Sequence, residues 1–223
     1  MFGALATGTT TIDGLLEAED VINTARAVTA LGANAEKRDG QWVVNGRGVG
    51  GLTSPGHDID FGNSGTGSRL MLGVVAGQAI LARFTGDASL SRRPMRRVLD
   101  PLRRMGLETI EDRDTLPLTV RGSDRLIPIA YETPVPSAQV KSAILLAGLA
   151  AAGETTVIEK EHTRDHTERM LRYFGADIRI EQHGGKTAIT VKGHAELAAR
   201  PIVVPGDPSS AAFPIAAAAI VPG

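Results

Sequence analysis

There is no cysteine among the 223 residues. Disulfide bridges, thiolate chemistry and cysteine-ligated zinc are therefore excluded. Nor does either sign of charge dominate: 24 basic and 25 acidic residues leave a net charge of −1. Such a balance gives no electrostatic reason to expect nucleic acid or an anionic membrane as a partner. No apolar run reaches membrane-spanning length, and the longest, Leu70 to Leu81 and Ala143 to Ala152, are interrupted by Gly or Gln. The first residues show no basic region ahead of an apolar segment, so no signal peptide is read and a cytoplasmic location is expected. The single tryptophan, Trp42, falls in an expected hairpin strand and is assigned to packing. His166, at a helix start, has no second ligand at metal spacing and is expected to be structural or solvent-facing. His57, His162, His183 and His194 are scattered in loop-like contexts and are assigned no role.

What is abundant is glycine, 26 residues of it, in a chain whose apolar periodicity persists throughout. That combination indicates many tight turns rather than disorder. The length suits one large domain or two small ones. The richest stretch is Phe61-Gly-Asn-Ser-Gly-Thr-Gly-Ser-Arg69, which runs directly into an apolar segment from Leu70. It reads as a loop closing onto a helix N-terminus. Free N–H groups and the positive end of the helix dipole make such a terminus an anion seat, and Arg69 adds a cation. The other reading is a surface loop that only caps a helix.

The chain repeats itself. A strand, Thr9 to Ile12, leads to a helix over Val21 to Leu31, a stop at Gly32, and two strands around Asp39-Gly40. The same order recurs. A strand begins at Arg83, a helix covers Met95 to Met105 with Ser91 as its cap and a kink expected at Pro101, and Gly106 stops it before paired strands. It recurs again from Glu154 to Ile158, with a capping box of Asp165 and Glu168, a stop at Gly175 and strands paired around Gly184-Gly185. The stop glycines stand 74 and 69 residues apart. A second series of helix starts, at Ser64, Ser137 and Ser209, has spacings of 73 and 72. Together they define a βαβαββ unit used about three times, an α/β (α+β) architecture whose units bury a shared core.

Alignment of Gly8-Thr-Thr-Thr-Ile12 with Gly153-Glu-Thr-Thr-Val157 sets Met1 against Leu146, in the middle of a small-residue helix. At the other end, Val221-Pro-Gly223 stops where a further strand is expected. The chain is therefore expected to be a fragment, and its Ala-rich last helix, Asp207 to Val221, to be exposed, displaced or poorly ordered.

Five segments in order resemble the 5-enolpyruvylshikimate-3-phosphate synthase (3-phosphoshikimate 1-carboxyvinyltransferase) family. They are Asp60 to Arg69, Gly86-Asp-Ala-Ser-Leu-Ser-Arg-Arg-Pro-Met95, Pro136-Ser-Ala-Gln-Val-Lys-Ser142, Thr163-Arg-Asp-His-Thr-Glu168 and Pro205-Gly-Asp-Pro-Ser-Ser210. The resemblance covers essentially the whole chain. It implies a two-lobe, inside-out α/β barrel with three repeats in each lobe. Residues 1–204 would form the shikimate-3-phosphate-side lobe, and residues 205–223 the crossover and first helix of the second lobe. It also implies transfer of the enolpyruvyl group of phosphoenolpyruvate to the 5-hydroxyl of shikimate 3-phosphate, without metal or cofactor, by a monomeric enzyme of aromatic amino acid biosynthesis.

By the same resemblance, Ser137, Ala138, Gln139 and Arg164 would hold shikimate 3-phosphate, and Gly65, Arg93 and Gln139 would meet phosphoenolpyruvate. Gly65 is kept where glyphosate-tolerant relatives often carry Ala, while Ser64 replaces the usual Ala, so this pair decides neither sensitivity nor tolerance. The family's lysine segment and its acid/base carboxylates have no counterpart here, so no catalytic residue is assigned and the polypeptide alone is expected not to turn over. Two other enzymes share related architecture. UDP-N-acetylglucosamine enolpyruvyl transferase commonly carries a cysteine in the loop matching Gly86 to Met95, and RNA 3′-phosphate cyclase calls for a basic stripe; this chain has neither. A non-catalytic anion-binding lobe is the reading from a different class. Of the remaining polar residues, Arg92, Arg96, Arg97, Arg103 and Arg104 read as a solvated helix face, Lys141 as a surface or capping residue, Asp87 as a turn former and Asp207 as a hinge cap.

Overall fold

The computed structural model describes residues 1–221, without the side chain of Ser209. The strand expected to begin at the Val221-Pro-Gly223 end lies outside the described residues. A first unit holds α1 (Phe2–Leu5), β1 (Ala6–Thr7), β2 (Thr9–Asp13), α2 (Glu19–Ala30), β3 (Asn34–Arg38) and β4 (Gln41–Asn45). The second holds β5 (Ile59–Asp60), α3 (Gly65–Ala76), β6 (Leu81–Thr85), α4 (Arg96–Met105), β7 (Glu108–Thr109) and β8 (Leu118–Arg121). The third holds β9 (Ala130–Glu132), α5 (Ala138–Gly148), β10 (Glu154–Glu159), α6 (His166–Tyr173), β11 (Ile178–His183) and β12 (Lys186–Lys192). Then come β13 (Leu197–Ala198), β14 (Ile202–Val203) and α7 (Pro208–Ile220).

The second and third units are built alike. Their sheets have the orders β5-β6-β8-β7 and β9-β10-β12-β11. In each, a short opening strand runs parallel to the next one (Ile59 beside Phe84, Ala130 beside Thr156), and all other pairings are antiparallel. The first sheet follows the same plan with one substitution. Its order is β14-β2-β4-β3, so the opening place is taken by β14, with Ile202 beside Ile12. A second link joins β1 to β13 in parallel, Ala6 beside Leu197. The chain thus closes into a ring of three units.

Five of the helices divide by their faces. α2, α4 and α6 are amphipathic; in α4, Val98, Leu99, Leu102 and Met105 point inward while Arg96, Arg97, Asp100 and Arg104 are exposed. α3 and α5 are buried almost all round, with Met71 to Ala76 and Ala143 to Ala147 at or near zero exposure. Burial of this kind needs close backbone approach. A Cβ placed on Gly73 would lie 2.2 Å from the Ala143 carbonyl oxygen and 2.7 Å from its Cα. Further along, a Cβ on Gly77 would lie 2.6 Å from the Ala150 Cβ.

The three stop glycines are in the left-handed region, with φ of 94° at Gly32, 119° at Gly106 and 98° at Gly175, as a C′ residue requires. A second glycine series follows the three hairpins and was not anticipated from the sequence. A Cβ on Gly46, Gly122 or Gly193 would lie 2.0, 1.9 or 1.8 Å from the carbonyl oxygen of Ala6, Val75 or Ala151, at or within three residues past the ends of α1, α3 and α5. These segments also close the helix ends: the Arg47, Ser123 and Ala195 N–H groups donate to Ala4, Ala76 and Leu149 carbonyls.

Two expected helix starts are corrected. Ser91 does not cap α4; it sits in a 3₁₀ turn over Leu90–Arg92, and its hydroxyl donates to the Gly86 carbonyl at 3.1 Å. Pro94 is the reason, because it holds Arg93 extended (φ −83°, ψ 126°) and delays the helix to Arg96. From there α4 runs through Pro101 to Met105 as one helix. Asp165 and Glu168 do not form a capping box either. Asp165 pairs with Arg169 at 2.7 Å, and Glu168 turns inward to Lys141. α7 is exposed from Ala212 to Ile220, with Phe213 at 81 % and Ile220 at 79 %. Among the described residues no helix is long and apolar enough to cross a membrane.

The contact at Gly73 yields a prediction. Gly73→Ala gains about 1 kcal/mol of helix propensity but meets backbone, and overpacking of this kind costs roughly 1–3 kcal/mol. A lower urea midpoint at unchanged slope is expected. An equal or higher midpoint would mean that the α3–α5 contact yields without strain.

Candidate active site

The glycine-rich loop is held by its own side chains. The Asp60 carboxylate accepts from the Gly62 N–H at 2.9 Å. Ser64 is the N-cap of α3 and accepts from the Gly67 N–H at 3.1 Å. The buried Ser68 hydroxyl donates back to the Gly65 carbonyl at 3.2 Å. α5 begins in the same way: Ser137 is its N-cap and accepts from the Val140 N–H at 3.4 Å. The two helix starts meet, because Gln139 Nε2 donates to Thr66 Oγ1 at 2.7 Å. Two positive helix ends are thus brought to one place.

Two guanidinium groups join them. Arg69 donates to the carbonyls of Gly65 (3.1 Å) and Pro94 (3.2 Å). Arg93 donates to Asn63 Oδ1 (2.6 Å) and Ser89 Oγ (3.1 Å). Asn63 in turn donates to Asp87 Oδ2 at 2.7 Å, and the Leu90 N–H donates to Asp87 Oδ1 at 2.7 Å. Asp87 is the turn former expected of it, with the added task of orienting Asn63. Among the described residues neither Arg69 nor Arg93 is in a salt bridge. Burial, and then the like charges of Arg93 and Arg97, lower the Arg69 pKa, which disfavours its charged form. An incoming anion would relieve that repulsion. Gly65 makes the arrangement possible, since a Cβ there would lie 2.8 Å from one Arg69 nitrogen and 3.2 Å from one of Arg93.

These groups line a cleft of about 440 Å³ that includes Gly65, Thr66, Arg93 and Gln139, with Glu19 and Asp20 from α2 on its wall. A smaller hollow of about 160 Å³ adjoins it across Thr66 and Gln139, and contains Ala138, Ser142, Arg164 and Thr167. Of the residues singled out from the sequence, Gly65, Arg93 and Gln139 line the first space and Ala138, Gln139 and Arg164 the second. Ser137 caps the helix whose first residues line both. Asn63, Thr66, Glu19 and Asp20 carried no role in the sequence reading; Asn63 and Thr66 lay within a quoted motif, while the α2 pair gave only a helix-dipole signal. His166 is exposed at the start of α6, as expected. Arg92, Arg96, Arg97 and Arg104 are exposed, with Arg104 5.5 Å from the Tyr131 ring centroid, while Arg103 is half-buried against Asp114 at 3.2 Å. Among the described residues no group of three or more His, Cys, Asp or Glu is placed to hold a metal ion.

The Leu90 N–H first, and then the Asn63 side chain, hold the Asp87 carboxyl below its ordinary 3.8. A carboxylate with a depressed folded pKa favours the folded state above its unfolded pKa, and that contribution is lost as pH falls through the folded value. The Asp87–Asn63–Arg93 link is therefore expected to persist across neutral pH and to open only in acid. Titration of the Asp87 side-chain carbon by NMR is expected to give a midpoint below 3.8; a midpoint above it would show that the link does not form.

Comparison with known proteins bears on what this cleft is. The family model for EPSP synthase (3-phosphoshikimate 1-carboxyvinyltransferase) matches residues 1–223. The 3-phosphoshikimate 1-carboxyvinyltransferase of Paramagnetospirillum magneticum is 59 % identical over 226 residues, covering all of this chain and 51 % of that protein. That of Afipia carboxidovorans is 60 % identical with the same coverage. The structure of EPSP synthase from Acinetobacter baumannii superposes with a TM-score of 0.88 at 46 % identity, over all of this chain and 50 % of that one. The chain thus spans about half the length of the curated relatives it matches. With the family match extending from the first residue to the last, this chain belongs to the EPSP synthase family.

Proposed function

We propose that this chain supplies the shikimate-3-phosphate side of the active site of an enzyme that transfers the enolpyruvyl group of phosphoenolpyruvate to the 5-hydroxyl of shikimate 3-phosphate. In that reaction C3 of the enol is protonated, the hydroxyl oxygen attacks C2, and the resulting tetrahedral intermediate expels phosphate. Two phosphates and two carboxylates must be held close together, which demands cationic side chains and helix N-termini fixed in advance. The observation that carries the reading is the meeting of the α3 and α5 N-termini through Gln139 and Thr66, beside Arg69 and Arg93 outside any salt bridge among the described residues.

In this reading Ser137, Ala138, Gln139 and Arg164 hold shikimate 3-phosphate, with its phosphate in the smaller hollow. Gly65, Arg93 and Gln139 meet phosphoenolpyruvate in the larger cleft. Gln139 borders both spaces, which suits a residue that touches both substrates. The same reading sets the protein in the cytoplasm and makes the complete enzyme a monomer. It also divides the chain at 204/205. β14 is paired into the first sheet, and α7 beyond it is exposed from Ala212 to Ile220.

Three measurements test this. In calorimetric titrations, Arg164→Ala is expected to weaken shikimate 3-phosphate binding by roughly ten- to a hundredfold, the worth of a hydrogen bond to a charged group. Arg93→Ala should spare that ligand and weaken phosphoenolpyruvate instead. Equal effects of both variants on both ligands would refute the division of the cleft. Gly65→Ala is expected to weaken phosphoenolpyruvate while leaving shikimate 3-phosphate unchanged, because its methyl displaces Arg69 and Arg93. Removal of residues 205–223 is expected to leave the melting temperature of the remainder unchanged, and a clear fall would move the boundary.

A further inference from the structure

One buried charged cluster lies outside both spaces. Lys141, in the first turn of α5, is only 1 % exposed, and its ammonium lies 3.0 Å from Glu159 and 2.6 Å from Glu168. The two carboxylates are 2 % and 3 % exposed. Glu159 ends β10, and Glu168 is in the first turn of α6. Thr163, in the segment between them, donates its hydroxyl to Glu159. Arg164 is the next residue. A second tie, between the Ser142 and Thr167 hydroxyls at 2.7 Å, runs alongside.

The cluster is an expensive way to fill space. Three charges are taken out of water, and a buried ion triad is often no more stable than apolar residues of equal volume. Its lysine is also at the positive end of a helix, where a cation is disfavoured. One Glu168 oxygen is buried with no hydrogen-bond partner. What the triad does specify is geometry. Its members stand at the start of α5, at the end of β10 and at the start of α6. They therefore enclose both ends of the segment that carries Arg164 and fix it against the helix that carries Ala138 and Gln139.

We infer that Lys141, Glu159 and Glu168 are positioning residues that hold the Arg164 segment against the α5 N-terminus, so that both halves of the phosphate seat face one ligand. This rests on the reading of Arg164 as a clamp on shikimate 3-phosphate. None of the three touches the ligand. They act through Thr163 and through the packing of α6.

The triple variant Lys141→Met, Glu159→Met and Glu168→Met removes all three charges and leaves none stranded. It is expected to fold and to melt cooperatively. Amide hydrogen exchange over residues 160–167 should become faster than in the wild-type chain, with no ligand present. Shikimate 3-phosphate affinity should fall roughly tenfold or more. Adding Arg164→Ala to the triple variant should then cost nothing further, although it weakens the wild-type chain. Unchanged exchange, or a full Arg164→Ala penalty in the triple background, overturns the positioning role. Absence of shikimate 3-phosphate binding to the wild-type chain overturns the function reading instead, and the exchange comparison still stands. If the triple variant does not fold, Thr163→Val cuts the tie between segment and triad alone. Wild-type affinity and exchange in that variant would overturn the inference.

Discussion

Two helices can offer their N-termini to neighbouring anions only if their backbones come close together. Here α3 and α5 do so by omitting side chains where they meet. Thr66 contacts Gln139, Gly73 lies against Ala143, and Gly77 against Ala150. The contacts advance along both helices in the same sense, so the pair is parallel and both positive ends open on the same cleft. Like ends of helix dipoles repel, and close packing at glycine holds them in place. The residual positive potential is what the cleft offers to a ligand.

The side chains around that opening extend the same imbalance. Arg69 and Arg93 are tied to carbonyl, amide and hydroxyl oxygens. Their geometry is therefore fixed while their charge is left for a ligand. Gly65 keeps the space between them clear. Preorganisation of this sort removes the ordering cost that a flexible arginine would meet on binding.

Much of this was legible in the sequence, and what was not has a common physical origin. The stop glycines, the hairpin turns at Asp39-Gly40 and Gly184-Gly185, and the serine caps of α3 and α5 are local devices, so residue order alone reveals them. The second glycine series, Gly46, Gly122 and Gly193, answers to carbonyls 40 residues or more away, which no local pattern announces. Lys141 was read as a surface or capping residue, yet it is buried, which lysine almost never is unless paired. Its partners, 18 and 27 residues further on, become visible only in three dimensions. Glu168 was misread for the same reason: its position three residues after Asp165 imitates a capping box, yet the buried ammonium outcompetes the helix N-terminus for it. The candidate residues Gly65, Arg93, Gln139 and Arg164 came from family motifs, and local rules alone reached only the helix starts beside them.

The closure of the first sheet by β14 bears on how the chain is made. Units two and three each bring all four of their strands within one stretch of sequence. The first sheet must wait for Ile202 to reach Ile12, and β1 must wait for Leu197 to reach Ala6. Loop closure over nearly two hundred residues is entropically late, and contacts of that span slow folding. Of the three units, the one earliest in this sequence is therefore the last that can acquire its full set of strands during synthesis.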